Sequence, residues 1–164
     1  MDNISAHITY DEAVKSQTGI RLGLKNDPSI KELAAMKLVA NKVFEPIRNY
    51  FGKSIGISSF YRGPALNKAI GGASSSQHCK GEAIDIDADI YGQGITNTQI
   101  FNYVKANLNF DQMIAEFSTG NQPSWVHVSY SSAHNRKEIL IAEKVGGRTV
   151  YHPYSEQLYK RIYG

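Results

Sequence analysis

The sequence has little cysteine: Cys79 is the only one in 164 residues. A single thiol forms no internal disulfide, so no framework of bridges supports the fold. The chain must therefore be held by its core. With 41% hydrophobic and 20% charged residues, it has the composition of a soluble globular domain. This length suffices to bury a sizeable core, and we expect a single domain over residues 1–164, present as a monomer.

Long apolar runs and concentrated charge are missing as well. No stretch approaches the roughly 18 apolar residues that cross a bilayer. The opening MDNISAHITYDEAV has neither the basic nor the apolar region of a signal peptide. We therefore expect no membrane partner and synthesis in the cytoplasm without an export signal. The chain has 18 Lys and Arg against 15 Asp and Glu, in no basic block, which argues against a nucleic-acid partner.

Helical signals dominate the first half of the chain. Thr9 and Glu12 have the spacing of a capping box, which predicts a first short helix. The segment DPSIKELAAMKLVANKVFEPIRNYFG predicts the main amphipathic helix, with Asp27 as its cap and a kink or break at Pro46. A short helix is predicted in GPALNKAIGG, and a second amphipathic helix in TNTQIFNYVKANLN.

Strand-like runs lie between and after these helices: SIGISSFYR, AIDIDA, FDQMIAEFS, SWVHVSY and KEILIAEKV. Strand alternation places Asp85 and Asp87 on one face of their strand, and Trp125 and His127 on one face of theirs. The turn-forming residues between the last three runs predict an antiparallel meander. Helices first and a small sheet later predict the α+β class.

Three aspartates occupy strand positions that β-branched residues would fill better: Asp85, Asp87 and Asp89. A cation is the obvious reason. A calcium loop of the EF-hand type is excluded, because its sixth position would be Ile90 where glycine is needed, and its twelfth Thr96 where glutamate is needed. Asp87 and Asp89 either orient a metal ligand or lie on a solvated edge.

A lone strand histidine is usually just a hydrogen-bonded imidazole, but His127 has a potential partner. If TGNQP closes a hairpin centred between Asn121 and Gln122, Glu116 stands opposite His127, about 5 Å away between Cβ atoms. A slip of one residue would turn Glu116 to the other face. A glutamate beside a metal-bound histidine can take a proton from water during hydrolysis.

Two histidines and one aspartate form the candidate metal site. His78, Asp85 and His127 offer two nitrogens and one carboxylate, which leaves zinc an open fourth position for water or substrate. Such a set fits a catalytic site better than a closed structural one. Cys79 follows His78 directly and is not expected to share its metal, because adjacent side chains point in different directions on most backbones.

The pattern SxHxxGxAxD from Ser76 to Asp85, with WxH from Trp125 to His127, resembles the zinc D-Ala-D-Ala carboxypeptidases and related murein peptidases. This resemblance implies an α+β fold of the hedgehog and D-Ala-D-Ala peptidase type, with helices packed on a small antiparallel sheet that carries a zinc site. It also implies that His78, Asp85 and His127 hold the zinc.

The resemblance suggests further roles. The arginine of a YR pair ahead of the motif, here Arg62, stabilises the oxyanion or the substrate carboxylate. Several relatives carry an acidic residue three positions before the second histidine, where this chain has Ser124. Glu116 is therefore our candidate for the general base. The candidate substrate-binding residues are Ser76, which alternatively only shapes its loop, Tyr61 and Trp125.

The implied function is zinc-dependent hydrolysis of an amide bond in the peptide stem of peptidoglycan, by an enzyme of the D-Ala-D-Ala carboxypeptidase or phage endolysin type. Action at the cell wall would then follow phage-type release. The alternative is a non-catalytic zinc-containing binding module, as in hedgehog-type relatives. Mutation of Glu116 separates the two, because only an enzyme would lose turnover while keeping zinc.

Overall fold

The computed structural model describes residues 2–164, which form seven α-helices and one six-stranded sheet. The helices are α1 Tyr10–Val14, α2 Gln17–Leu22, α3 Ile30–Val39, α4 Glu45–Phe51, α5 Pro64–Ala69, α6 Asn97–Asn107 and α7 Glu156–Tyr163. The strands are β1 Gly56–Ser59, β2 Ala83–Asp87, β3 Gln112–Glu116, β4 Trp125–Ser129, β5 Glu138–Val145 and β6 Arg148–Pro153. The predicted α+β class is confirmed. No helix in the described part of the chain has the length and apolar character needed to cross a membrane.

The main helical segment differs from the prediction at its start and around its proline. Ser29, not Asp27, caps α3 and forms a capping box with Glu32. Helical backbone then continues from α3 through a π turn at Ala40–Phe44 into α4. Pro46 lies in the first turn of α4, where its missing N–H removes a helical hydrogen bond. The wider π turn just before it accommodates this loss without a break.

The sheet has the strand order β1-β2-β4-β3-β5-β6, so the predicted antiparallel meander is wrong. All neighbouring pairs are antiparallel except β3 and β5, which run parallel. Strand β4 lies between β2 and β3, and β5 joins the sheet at the other edge of β3. Because β4 ends beside the start of β3, the chain enters β5 in the same direction as β3.

The two faces of the sheet have different chemistry because side chains alternate along each strand. On one face, Ile84, Ile86, Val126 and Val128 join the hydrophobic core. Residues of α3, α4, α6 and the π turn belong to the same core: Met36, Val39, Val43, Phe44, Ile47, Ile100, Phe101 and Val104. Burial of this apolar surface at about 25 cal/mol per Å² supplies the main stabilisation of the fold. The other face is free to carry polar groups.

Candidate active site

Polar residues of β2 and β4 meet on the face of the sheet opposite the helices. Asp85 of β2 pairs directly with His127 of β4. The register of β3 and β4 corrects the prediction, because His127 pairs with Ile114 while Glu116 pairs with Trp125. The hairpin is displaced by two positions from the predicted pairing. An even displacement keeps Glu116 on the face of His127, as its diagonal neighbour rather than its direct partner.

The SxHxxGxAxD segment begins with a tight turn that presents the first histidine. Residues Gln77–Lys80 form a 3₁₀ turn, and the Ser76 hydroxyl accepts a hydrogen bond from the His78 N–H. Gly81 ends this turn with φ +72°, and a Cβ atom at Gly81 would lie 2.5 Å from the carbonyl oxygen of Glu32 on α3. Only glycine allows both this backbone conformation and this close approach. The turn therefore packs directly on α3.

Three buried side chains converge where this turn meets β2 and β4. Asp85 Oδ1 lies 3.2 Å from His78 Nε2 and 2.9 Å from His127 Nδ1. One potential ligand atom from each of the three residues lies within 4.8 Å of the others. The His78 Nδ1–H donates to the Phe60 carbonyl at 2.7 Å, which leaves Nε2 as the coordinating nitrogen. We call His78, Asp85 and His127 the metal triad.

The electrostatics of the metal triad suit a cation. Burial opposes ionisation of Asp85, but the two neighbouring histidines outweigh it and hold the pKa of its carboxyl far below its usual range. A permanent carboxylate between two imidazoles matches the nitrogen and oxygen ligands that zinc accepts. The His78 hydrogen bond to a backbone carbonyl is the support that metal-binding histidines usually have. These residues therefore fit zinc, and Cys79 is not part of the group.

Glu116 is buried at the edge of the same site, with 8% of its surface exposed. Burial, reinforced by the charge of Asp85, raises the pKa of Glu116 to about 7, against the opposing influence of His127 and Arg62. A carboxyl with this pKa can both accept and release a proton near neutral pH. The structure thus brings Glu116 to the metal triad, although by a different register from the one predicted.

Arg62 lies beside the metal triad with part of its guanidinium unsatisfied. Its backbone N–H donates to the carbonyl of His78 at 3.2 Å, which ties it to the motif turn. Its Nε atom is buried and has no hydrogen-bond partner among the described residues. Because a buried donor without a partner costs free energy, Arg62 is available for a ligand that brings an oxygen acceptor.

A cavity of about 640 Å³ opens over the metal triad, Glu116 and Arg62. Ser76 and Trp125 also line it, and Trp125 packs edge-on against Phe117 with ring centroids 5.4 Å apart. Ser76 both lines the cavity and caps the motif turn, so its loop-shaping role is visible in the structure. These positions leave both residues within reach of a substrate.

Tyr61 is a correction to the predicted site. Its side chain is 3% exposed, and its hydroxyl donates to Glu32 Oε1 at 2.7 Å. The cavity lining does not include it. Although it precedes Arg62 in sequence, Tyr61 packs in the core and its hydroxyl reaches α3.

The two remaining aspartates hold the loop after β2. Asp87 Oδ1 accepts hydrogen bonds from the Asp89 N–H and from Asn97 Nδ2, each at 3.0 Å. Exposed Asp89 accepts from Gln122 Nε2 at 3.3 Å. Neither belongs to the metal triad. Both aspartates therefore stabilise the loop, and exposed Asp89 agrees with the solvated alternative.

Sequence reasoning missed part of the cavity wall. Tyr151 on β6 and Leu140 on β5 both line the cavity. Tyr151 pairs with Ala142, which in turn pairs with Glu116, so the tyrosine lies on the same face. Partial burial, with the charges of Glu116 and Asp85, raises the pKa of its hydroxyl. The alternation in RTVYHP could have indicated the strand, but its position depends on the parallel pairing of β3 and β5.

Comparison of the sequence with known proteins identifies the family of this chain. No curated protein matches the chain. The family model described as Peptidase M15 matches residues 6–129, which is more than half of the chain. The matched span includes the metal triad, Glu116 and Arg62 and ends before β5. The resemblance read from the SxHxxGxAxD motif is thereby confirmed, and the chain belongs to the Peptidase M15 family of zinc-dependent metallopeptidases.

Proposed function

We propose that this metallopeptidase hydrolyses an amide bond in the stem peptides of peptidoglycan, as an enzyme of the D-Ala-D-Ala carboxypeptidase or phage endolysin type. The substrate class is supported by the SxHxxGxAxD and WxH patterns, which resemble those of murein peptidases. The observation that carries catalysis is the position of Glu116, a buried carboxyl on the same cavity wall as the metal triad. A module that only binds zinc has no need to bury such a group.

His78, Asp85 and His127 would hold the zinc, which when bound polarises the scissile carbonyl and acidifies the attacking water. Ionised Glu116 accepts a proton from that water as the C–O bond forms. The resulting carboxylic acid then donates this proton to the amide nitrogen as the C–N bond breaks, so Glu116 ends in its starting state. Its position on the wall of the same cavity as the metal triad suits both transfers.

Arg62 has the complementary role at the carbonyl oxygen or at a substrate carboxylate. Its unpartnered Nε–H can donate to an oxygen whose negative charge increases during attack. A guanidinium held in place by its backbone bond to the motif turn needs little reorganisation when this charge develops. Trp125 and Tyr151, on opposite sides of Glu116 in the sheet, would flank the substrate chain.

The test combines metal content with hydrolysis. We expect about one zinc per chain in the wild type and its loss in His127→Ala, measured by mass spectrometry. Purified peptidoglycan should release D-Ala or new amino groups, and Glu116→Gln should slow this release by about 10²- to 10⁴-fold while retaining zinc. Glu82→Gln is the matched control, because Glu82 lies outside the cavity and should keep wild-type activity.

Two outcomes would overturn the proposal. Zinc binding without any release from peptidoglycan would favour the non-catalytic binding module. Release that survives Glu116→Gln would show that another group serves as the base.

In the same proposal, the enzyme reaches the cell wall by phage-type release from the cytoplasm. The resemblance of its SxHxxGxAxD and WxH patterns to murein peptidases of phages supports this route. Cells that express the protein should remain intact until their inner membrane is permeabilised, and culture turbidity should then fall. Lysis that requires no permeabilisation would contradict it.

A further inference from the structure

A second groove of about 530 Å³ lies next to the metal cavity. Arg62 and Ile70 line both, so the two depressions are neighbours with Arg62 between them. The walls of the second groove are the connection between α1 and α2, the strand β1, and the loop that carries Ile90 and Tyr91. None of these features is used by the chemistry proposed above.

One wall of this groove is an unpaired sheet edge. Strand β1 is the first strand of the sheet and pairs only with β2. Among the described residues, no other backbone hydrogen bond involves positions 56–59. Ile57, Ser58 and Ser59 line the groove from this edge. A free edge beside an active-site cavity can pair with the main chain of an extended peptide.

Apolar side chains lie exposed along the groove. Ile70, Ile90 and Tyr91 are 41%, 48% and 51% exposed, although all three are large hydrophobic residues. Ile90 packs closely on Gly56 of β1. A Cβ atom at position 56 would lie only 2.4 Å from the Ile90 Cβ. Apolar surface grouped in a concave site usually marks a place where a ligand binds.

The groove is lined by two basic side chains, Lys15 and Arg62, and one acidic side chain, Glu12. Neither Lys15 nor Arg62 forms an ion pair within residues 2–164. Glu12 is the one acidic residue among those that line the groove, and its carboxylate accepts hydrogen bonds from Thr9 in the capping box. The groove therefore offers free cations to a ligand that carries a carboxylate.

We propose that this groove binds the part of the peptide substrate that extends beyond the scissile bond, with the peptide backbone along the edge of β1 and a substrate carboxylate opposite Lys15. The inference rests on the proposed peptidase function and adds a specificity site to it. Lys15 selects acidic peptides, while Ile90 and Tyr91 cover the apolar part of the extended chain.

The test uses synthetic peptides and the zinc-loaded protein. A short peptide spans only the scissile bond, and longer ones add three residues on the amino or the carboxyl side, with either Glu or Gln among them. One of the two longer Glu peptides should have a higher kcat/KM than the short peptide and about three- to fivefold higher than its Gln counterpart. Lys15→Glu should remove this preference for Glu.

The control is Lys42→Glu, which makes the same charge change at an exposed position outside both cavities and should keep the preference. Binding provides a readout independent of turnover: a fluorescently labelled longer Glu peptide should bind Glu116→Gln protein, and added salt or Lys15→Glu should weaken that binding. Tyr91→Ala should weaken binding of the Glu and Gln peptides equally.

The outcomes separate this inference from the function on which it rests. If the short peptide is cleaved as well as every longer one, or if Lys15→Glu keeps the preference for Glu, the groove is not a substrate site although the peptidase function stands. If the wild type cleaves no synthetic peptide, the binding measurement alone decides whether the groove takes an acidic peptide. The proposed function then fails only if purified peptidoglycan also releases nothing.

Discussion

The protonation of Glu116 depends on where the fold places it. In an exposed position its carboxyl would ionise near pH 4.5, but burial raises the pKa to about 7. The folded protein therefore binds a proton more tightly at this site than the unfolded chain does. By linkage, Glu116 reduces the stability of the metal-free protein as the pH rises from about 4.5 to about 7.

This linkage predicts the behaviour of Glu116→Gln without metal. Relative to the wild type, the variant should gain about 1–3 kcal/mol of unfolding free energy between pH 5 and pH 8. Burial of the amide in the variant has a cost that does not depend on pH, so it cancels when the unfolding free energies at the two pH values are subtracted. Urea unfolding of both proteins in the presence of a chelator measures the difference. The same pH dependence in both proteins would show that Glu116 titrates like an exposed carboxyl.

The predicted side of Glu116 was right although the predicted partner was wrong. Side chains in a strand alternate with a period of two, so any even displacement of the hairpin leaves Glu116 facing the metal triad. The partner depends on where the turn closes, and the turn residues TGNQP allow more than one closure. A local pattern thus determined the face, and the loop determined the register.

At the scale of elements, the C-terminal helix supports the strand that carries Glu116. Directly after Glu116, Phe117 adopts φ 57°, an unusual conformation for a residue other than glycine. Its carbonyl oxygen accepts a hydrogen bond from the Tyr163 hydroxyl of α7 at 2.6 Å, and its N–H donates to Ala142 of β5 at 2.9 Å. Both supports come from beyond residue 129, where the family match ends.

Removal of one hydroxyl tests this support. Tyr163→Phe should cost about 1 kcal/mol of stability and lower kcat several-fold with little change in KM, because Glu116 loses its position and the rest of the cavity does not. Tyr159→Phe is the matched control in the same helix, since its hydroxyl contacts Thr98 Oγ1 at 2.9 Å. Equal kcat values for the two variants would mean that α7 does not position Glu116.

At the scale of the whole molecule, the metal triad joins segments that are distant along the chain. His78 comes from the motif turn, Asp85 from β2 and His127 from β4, so only the folded chain assembles the site. A ligand that binds the folded state alone stabilises it by mass action. A metal held by the triad would therefore link residues 78 and 127, which lie in different elements.

Removal of zinc should lower the melting temperature of the wild type. Zinc at about a hundred times its Kd should add about 2.7 kcal/mol, which corresponds to a shift of roughly 5–10 °C for a domain of this size. Scanning calorimetry with zinc and with a chelator measures the shift, and His127→Ala should show almost none. Equal shifts in both proteins would place the stabilising metal elsewhere.

The monomer expected from composition stays a prediction, which sedimentation can test.

The sequence by itself determined those features that depend on residue chemistry and short spacing. These are the metal-ligand set, the capping box at Thr9 and Glu12, the face of each active-site strand and the α+β class. Only the tertiary structure decided the parallel pairing of β3 and β5, the burial of Tyr61, and the arrival of Tyr151 beside Glu116. The physical reason is the sequence separation of the interacting residues. Helix caps and strand faces depend on residues only a few positions apart. Strand order and cavity walls follow instead from how the whole chain buries its apolar surface.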